Sequence, residues 1–363
     1  MNILLSIAFV GAWSSGFIGA KLGAGSAPAV TLLMWRFLPL ALVLGIVALS
    51  VTRASWRGLT PRDLVRQTAV GALSQSGYLL TVYYAIELGV SSGTTALIDG
   101  TQPLVAGALA GPLLGLPVSR TQWLGLGLGV TGVAVVTAAD AGSGAGTGVA
   151  WWAYLVPFVG MLSLVAATFL DRRSRTDVRP MVSMTVHAVT SAVVFTALAA
   201  ATGGMAPPPS GSFWTAVVWL VALSTFGGYG LYWLILRRSG MTKVNTLMFL
   251  MAPVTAVWGA LMFGEPFGAQ TVVGLGLGLL AVAVVHRGDR GEGRGEGRGE
   301  SRRGGRRDSG QSGQCDQNSH NVQQPPDAGS FTSRRAAWPR ARSSSRRPAR
   351  PGRATRPAGP GSH

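Results

Sequence analysis

The sequence predicts an all-α integral membrane protein, with ten transmembrane helices arranged as two inverted five-helix repeats and a disordered basic C-terminal tail. Three observations carry this reading. Apolar stretches of about 19–25 residues, long enough to cross ~30 Å of hydrocarbon as helix, recur along the first 286 residues. Charge is sparse and lopsided: 12% of the chain is charged and 48% hydrophobic, with a mean hydropathy of +0.34, where a soluble domain carries about 25% charge. Segments of the first half also return in the second, roughly 150 residues later, as an internal repeat does.

The spans fall in order at 2–22, 28–50, 66–88, 91–115 and 120–138, which make up a first repeat over residues 1–138. An inter-repeat loop, 139–150, leads to spans 151–171, 180–202, 214–238, 241–263 and 268–286, a second repeat over 151–286. The first span has no basic segment ahead of it and runs straight into further spans, so it reads as a helix that stays and not as a cleaved leader. Residues 287–363 form a different polymer. Of the net charge of +17, residues 1–286 contribute +7 and the tail +10. The tail is low in complexity, with no apolar periodicity to offset the entropy of ordering, so it is expected to be a disordered, Arg/Gly-rich cytoplasmic extension.

Loop charges set the orientation. Arg53, Arg57, Arg62, Arg66, Arg120, Arg172, Arg173, Arg175, Arg179, Arg237, Arg238 and Lys243 fall on one side, and Lys21 alone on the other, beside Glu87, Asp140, Glu265 and the uncharged "GGMAPPPSGSF". By the positive-inside rule both termini are cytoplasmic, and the protein is a multi-pass protein of the cytoplasmic membrane.

The repeat is visible in three places. "WLGLGLGVTGVAVV" (123–136) matches "VVGLGLGLLAVAVV" (272–285), "YYAIELG" (83–89) matches "YWLILRRSG" (232–240), and "LLGLP" (113–117) matches "MFGEP" (262–266). Five spans per half is an odd number, so the second half enters the bilayer from the opposite side. Secondary transporters use this plan and place the substrate site near midplane between the halves. The blocks "GAWSSGFIGAKLG" (11–23), Arg36-Phe37, and "MAPVTAVWGALMFGEPFGAQTVVGLGLGL" (251–279) resemble the EamA-type branch of the drug/metabolite transporter superfamily over both halves. The resemblance implies a ten-helix, exporter-like secondary carrier for small metabolites. Leu116 stands where the second half has Glu265, so the first half departs from the family's Gly-Glu pattern.

Charged and polar residues inside the spans are the candidate site, because they are expensive in lipid. At ~1.5 Å per residue, Arg36, Asp99 and Ser14 share a depth of about 12 Å below the outer surface. Arg36 and Asp99 are then natural partners. One reading is an ion pair that locks spans 2 and 4; the other is Arg36 receiving an anionic substrate group, with Asp99 as counterion or proton carrier for coupling. His187 is the counterpart of Arg36 in the second half: Pro28 opens span 2, Pro180 opens span 7, and the two residues follow at similar offsets. It reads either as a packed histidine or as a second, proton-titratable coupling group. Trp13, Ser14, Gln75, Tyr78 and Gln102 are expected to line the substrate cavity with Arg36. Pro103 and Pro253 should kink spans 4 and 9. Glu265 precedes Pro266 and reads as a cap on the N-terminus of span 10 or as a gate; Glu87 reads as solvated.

Gly125/Gly127/Gly129 and Gly274/Gly276/Gly278 lie inside apolar spans with no strand before them, so they are not phosphate loops. They are close-packing faces. In the family these two spans form a dimer contact, so the resemblance implies a homodimer through spans 5 and 10; packing within one protomer explains the glycines equally well. The lone cysteine, Cys315, lies in the tail, leaving no disulfide framework, no metal pattern and no expected cofactor. The tail arginines suit anionic lipid headgroups and imply no specific nucleic acid. An intramembrane enzyme would need clustered His, Asp and Glu at one depth, and Arg36 with Asp99 is the nearest approach to that, so no enzyme is expected. The expected function is export of a small polar metabolite or drug by proton-coupled or exchange alternating access. Import on the same fold, or a membrane scaffold using the basic tail, are the alternatives.

Overall fold

A computed structural model describes residues 3–50, 56, 58–115, 118–143, 148–172 and 178–285, with backbone alone at 114, 172, 240–242 and 245. Arg53, Arg57, Leu116, Arg173, Arg175 and the whole tail, Cys315 included, lie outside these residues. So do the side chain of Arg172 and part of the inter-repeat loop.

Every regular element among the described residues is helical. In chain order they are α1 (Ile3–Ala24), α2 (Ala29–Ser50), α3 (Pro61–Gly71), a π-helical turn (Ala72–Gly77), α4 (Tyr78–Glu87), α5 (Ser92–Gly100), α6 (Gln102–Leu114) and α7 (Arg120–Ala141). The second half follows with a 3₁₀ turn (Trp151–Leu155), α8 (Val156–Arg172), α9 (Pro180–Thr202), α10 (Gly211–Trp219), a second π-helical turn (Leu220–Gly227), α11 (Gly228–Met248), α12 (Met251–Phe263) and α13 (Ala269–Val285).

Seven helical stretches are long and apolar enough to span a bilayer, and α13 is a shorter apolar helix. The expected spans 66–88 and 91–115 are not among the seven. The first runs on as helix through a π turn but carries Ser74, Gln75 and Ser76, so it is long enough but not apolar enough; the second breaks at Thr101, where Gln102 and Pro103 start a new helix. The kink expected at Pro253 is likewise a break, at Phe249–Leu250. The joint expected at 239–240 is helical instead: α11 carries its turns through that point, and Ile235, Val244 and Leu247 fold against Phe9 and Val10 of α1.

Local signals explain the ends. Thr60 and Asp63 make a reciprocal capping box with Pro61 at the first helical position of α3, and Ser119 with Gln122 does the same for α7. Gly115 and Gly264 close α6 and α12 at φ 68° and 66°, in the left-handed conformation that disfavours a Cβ. The two are sequence counterparts in the "LLGLP" and "MFGEP" blocks.

Elements of one half pack on elements of the other. α2 lies along α9, with Phe37 and Phe195 ring centroids 5.6 Å apart. α5 lies on α12, α4 on α8, and α1 on α10 and its π turn. α7 and α13 meet through glycines: a Cβ on Gly132 would come within 2.6 Å of the Gly274 carbonyl, so no side chain fits there. The Gly125/Gly129 stripe therefore packs inside one protomer, against Ala281 and Val285, which is one of the two expected uses. Leu42, Ile46, Leu49, Val193, Val218 and Leu261 are exposed, the outward apolar face that helices in lipid require.

Candidate functional site: a central cavity around a buried arginine

Two cavities meet at the centre of the bundle. The first, with ≈ 540 Å³ of empty space, is lined by Trp13, Phe17, Arg36, Gln75, Tyr78, Tyr83 and Tyr229, among others. The second, with ≈ 780 Å³, shares Arg36, Gln75, Leu79 and Tyr229 and continues past Leu40, Leu44, Met181, Met184 and Trp233. Leu40 and Leu44 are one and two turns beyond Arg36 on α2. The second cavity therefore runs from Arg36 toward the end of the bundle where α2 finishes and α9 begins.

The π turns shape this space. Ser74 and Gln75 come from the first and Ser224, Thr225 and Phe226 from the second, so both contribute wall residues. Each is held open by a hydroxyl that takes a backbone carbonyl: Ser163 Oγ donates to Leu73 O at 2.8 Å, and Thr225 Oγ1 to Leu220 O at 2.9 Å. Wide turns of this kind recur at functional sites. Pro39 adds a third irregularity, because it cannot donate to the carbonyl of Trp35, the neighbour of Arg36.

Arg36 is 4% exposed. Its guanidinium donates to Tyr83 Oη and, at 3.1 Å, to Thr225 Oγ1, and lies 5.4 Å from the Phe37 ring centroid. Its Nε has no partner. The expected Arg36–Asp99 ion pair is not formed. The ion pairs among the described residues are Lys21–Glu265 and Arg66–Asp171. Asp99, two residues before the break at Thr101, instead accepts from Tyr78 Oη at 2.9 Å, and its second oxygen has no partner. Equal depth put the two charges at one level, but α4 stands between them with Tyr78 facing one and Tyr83 the other.

The other expected residues divide. Trp13, Gln75 and Tyr78 line the first cavity with Arg36; Gln75 Nε2 donates to Tyr229 Oη at 3.4 Å, and Trp13 packs edge-on to Tyr229. Ser14 and Gln102 do not line either cavity. Ser14 turns the other way and donates to the Met251 carbonyl at 3.3 Å, pinning α1 to the start of α12. Gln102 opens α6 beyond the break. His187 is also outside the walls: its Nε2 is 2.9 Å from Gln67 Oε1, and its backbone leaves no room for a Cβ on Gly71. The similar offset from Pro28 and Pro180 gave it the level of Arg36 in its own repeat, but not the same facing.

Tyr83 and Thr225, the two groups that hold Arg36, are not among the residues the sequence points to: Tyr83 lies inside a repeated block whose signal is the repeat, and a single threonine in an apolar span gives none.

The end of the bundle away from the second cavity is tied shut. Glu265 accepts from the Ser92 backbone N–H at 2.9 Å and from Ser92 Oγ at 2.6 Å, and pairs with Lys21 Nζ at 3.4 Å. Asp140 accepts from Ser91 N–H at 3.0 Å. Glu87, exposed as expected, also accepts from Ala29 N–H at 2.8 Å. Glu265 thus caps α5 and not the helix that follows it: residues 264–268 are non-helical, and α13 starts only at Ala269, so the carboxylate folds back onto the first repeat. Carboxylates suit these helix N-termini, where backbone N–H groups are unpaired.

Seven helices long and apolar enough to cross a bilayer, packed around a buried charge, define a multi-pass membrane protein. The EamA-like transporter family model matches residues 1–138 and 151–287, and the chain belongs to that family. A solved crystal structure has the same fold, with a TM-score of 0.50 at 19% identity over 77% of this chain and 95% of the other. No curated protein matches the chain.

Proposed function

We propose that the protein is a secondary active transporter that exports a small polar metabolite or drug across the cytoplasmic membrane by alternating access. Ten spans in two inverted repeats, with both termini cytoplasmic, supply the two rocking halves. The observation that carries this reading is Arg36: a buried guanidinium facing two joined cavities, with no carboxylate against it among the described residues. A charge left without a counterion inside lipid costs several kcal/mol, and a site for passing cargo is a reason to keep one.

The tied end carries Lys21, Glu87, Asp140 and Glu265, which the loop charges place outside. The second cavity then leads from Arg36 toward the cytoplasm, as an exporter waiting for cargo requires. Coupling runs through Asp99, which touches the cavity wall by way of Tyr78. A proton arriving at Asp99 would turn its hydrogen bond with Tyr78 around and change the wall that the cargo meets; exchange of one solute for another needs no such step. In proteoliposomes, Asp99→Asn is expected to abolish acceleration of flux by a proton gradient while exchange of solute persists, and Arg36→Gln to reduce both. Flux indifferent to both substitutions would overturn the assignment.

A further inference from the structure

We infer that the central cavity selects an amphipathic organic monoanion: one compact anionic head group on Arg36 and an apolar body along the second cavity. The inference rests on the transport reading and deepens it by naming the class of cargo.

The head-group end is fixed by what Arg36 has left to give. A guanidinium has five N–H donors in a rigid fork, and Tyr83 and Thr225 take two. A carboxylate or sulfonate is the planar or trigonal acceptor that such a fork binds in bidentate fashion. Arg36 is also the one charged residue lining either cavity among the described residues. A second negative charge would have no partner there, which argues for a monoanion. A cation caged by Trp13, Tyr78 and Tyr229 would sit in the same cavity as the guanidinium and be repelled by it.

The body end is fixed by the wall beyond Arg36. Leu40, Leu44, Met181, Met184 and Ala188 offer hydrocarbon and thioether, and Trp233 an aromatic face with a single N–H; the other polar residues of this cavity, Gln75, Thr225 and Tyr229, lie at its Arg36 end, so the body end has too few polar groups to replace the hydration of a sugar or a polyol. Burying a hydroxyl without a partner costs more than it returns, whereas an alkyl or aryl body gains from leaving water. Methionine side chains adapt to bodies of differing shape, so the head group decides selection more than the outline of the body.

The test uses the full chain in lipid nanodiscs and three probes of one shape: 3-phenylpropanesulfonate, 3-phenylpropanol and 3-phenylpropyl-trimethylammonium. Binding is read by calorimetry and by quenching of tryptophan fluorescence, since Trp13 and Trp233 line the walls. The sulfonate is expected to bind about 10- to 100-fold more tightly than the alcohol, the range that a hydrogen bond to a charged group supplies, and the cation most weakly. Arg36→Gln is expected to bring sulfonate and alcohol together, and Arg36→Lys to keep part of the preference. Should Arg36→Gln fail to fold, the wild-type series and Arg36→Lys still decide. Equal or tighter binding of alcohol or cation, or no binding of the sulfonate, overturns the inference. Flux of the same probes into vesicles separates the two readings: a sulfonate that binds but never crosses would keep the anion site and reject the transporter, whereas a transported cation would do the reverse.

Discussion

The contact between Glu265 and Ser92 is the bolt of the closed end, and its strength can be worked from its geometry. The carboxylate takes a backbone N–H at 2.9 Å and a hydroxyl at 2.6 Å from one residue, with its side chain 7% exposed, and adds a Lys21 ion pair at 3.4 Å with the lysine side chain 25% exposed. A hydrogen bond to a charged group contributes roughly 1.5–3 kcal/mol, and an ion pair this open at most ~1 kcal/mol. Glu265→Gln keeps one acceptor oxygen and the shape, but loses the charge and a second oxygen. The expected cost to the closed arrangement is about 2–3 kcal/mol, a shift of roughly 30- to 150-fold in the ratio of closed to open. Spin labels at Gly25→Cys and Phe267→Cys report this end: Gly25 has open space around it and Phe267 is 42% exposed. In a Cys315→Ser background, pulsed EPR should give a single distance for Glu265, and a second, longer population for Glu265→Gln. A distribution unchanged by the substitution would refute the reasoning, because a bolt of this strength cannot be halved without the door moving.

Two further outcomes test the packing and the tail. Gly132→Ala should lower thermal stability by about 1–3 kcal/mol, the usual cost of overpacking, because its Cβ meets the Gly274 carbonyl, a backbone atom that cannot rotate away. Gly127→Ala, with nothing within 4 Å, should instead gain roughly 0.5–1 kcal/mol of helix propensity; unfolding in detergent micelles compares the two. A chain ending at residue 287 should insert and carry solute as the full chain does, measured by flux per mole of reconstituted protein, since residues 288–363 lie beyond the stretch that the family model matches.

Much of the molecule was legible along the chain. The apolar runs gave the helical elements, and "GAWSSGFIGAKLG" with "MAPVTAVWGALMFGEP" gave the family. Of the expected cavity residues, Arg36, Trp13, Gln75 and Tyr78 do line the walls. Ser14 and Gln102 do not, although both lie at a plausible depth. Depth follows from counting residues, but facing does not. A π turn changes the phase of the helix after it, and a break resets it, so the face that Gln102 presents cannot be extrapolated from residue 91. Asp99 shows the same limit. Residue count gives its level and charge suggests Arg36 as its partner, whereas the hydroxyl of Tyr78 takes that place.

The sequence by itself determined that this chain is a helical membrane protein of the EamA-like family. Lipid offers no hydrogen bonds, so every spanning segment must satisfy its own backbone and cover itself with apolar side chains. That requirement is local and is written in length and composition. The tertiary structure alone decided what Arg36 and Glu265 touch. Those contacts depend on how α1, α2, α4 and the second π turn are rotated against one another, and on Glu265 reaching across from one repeat to cap a helix of the other. Both are relations between residues distant in the chain, and packing fixes them where periodicity does not.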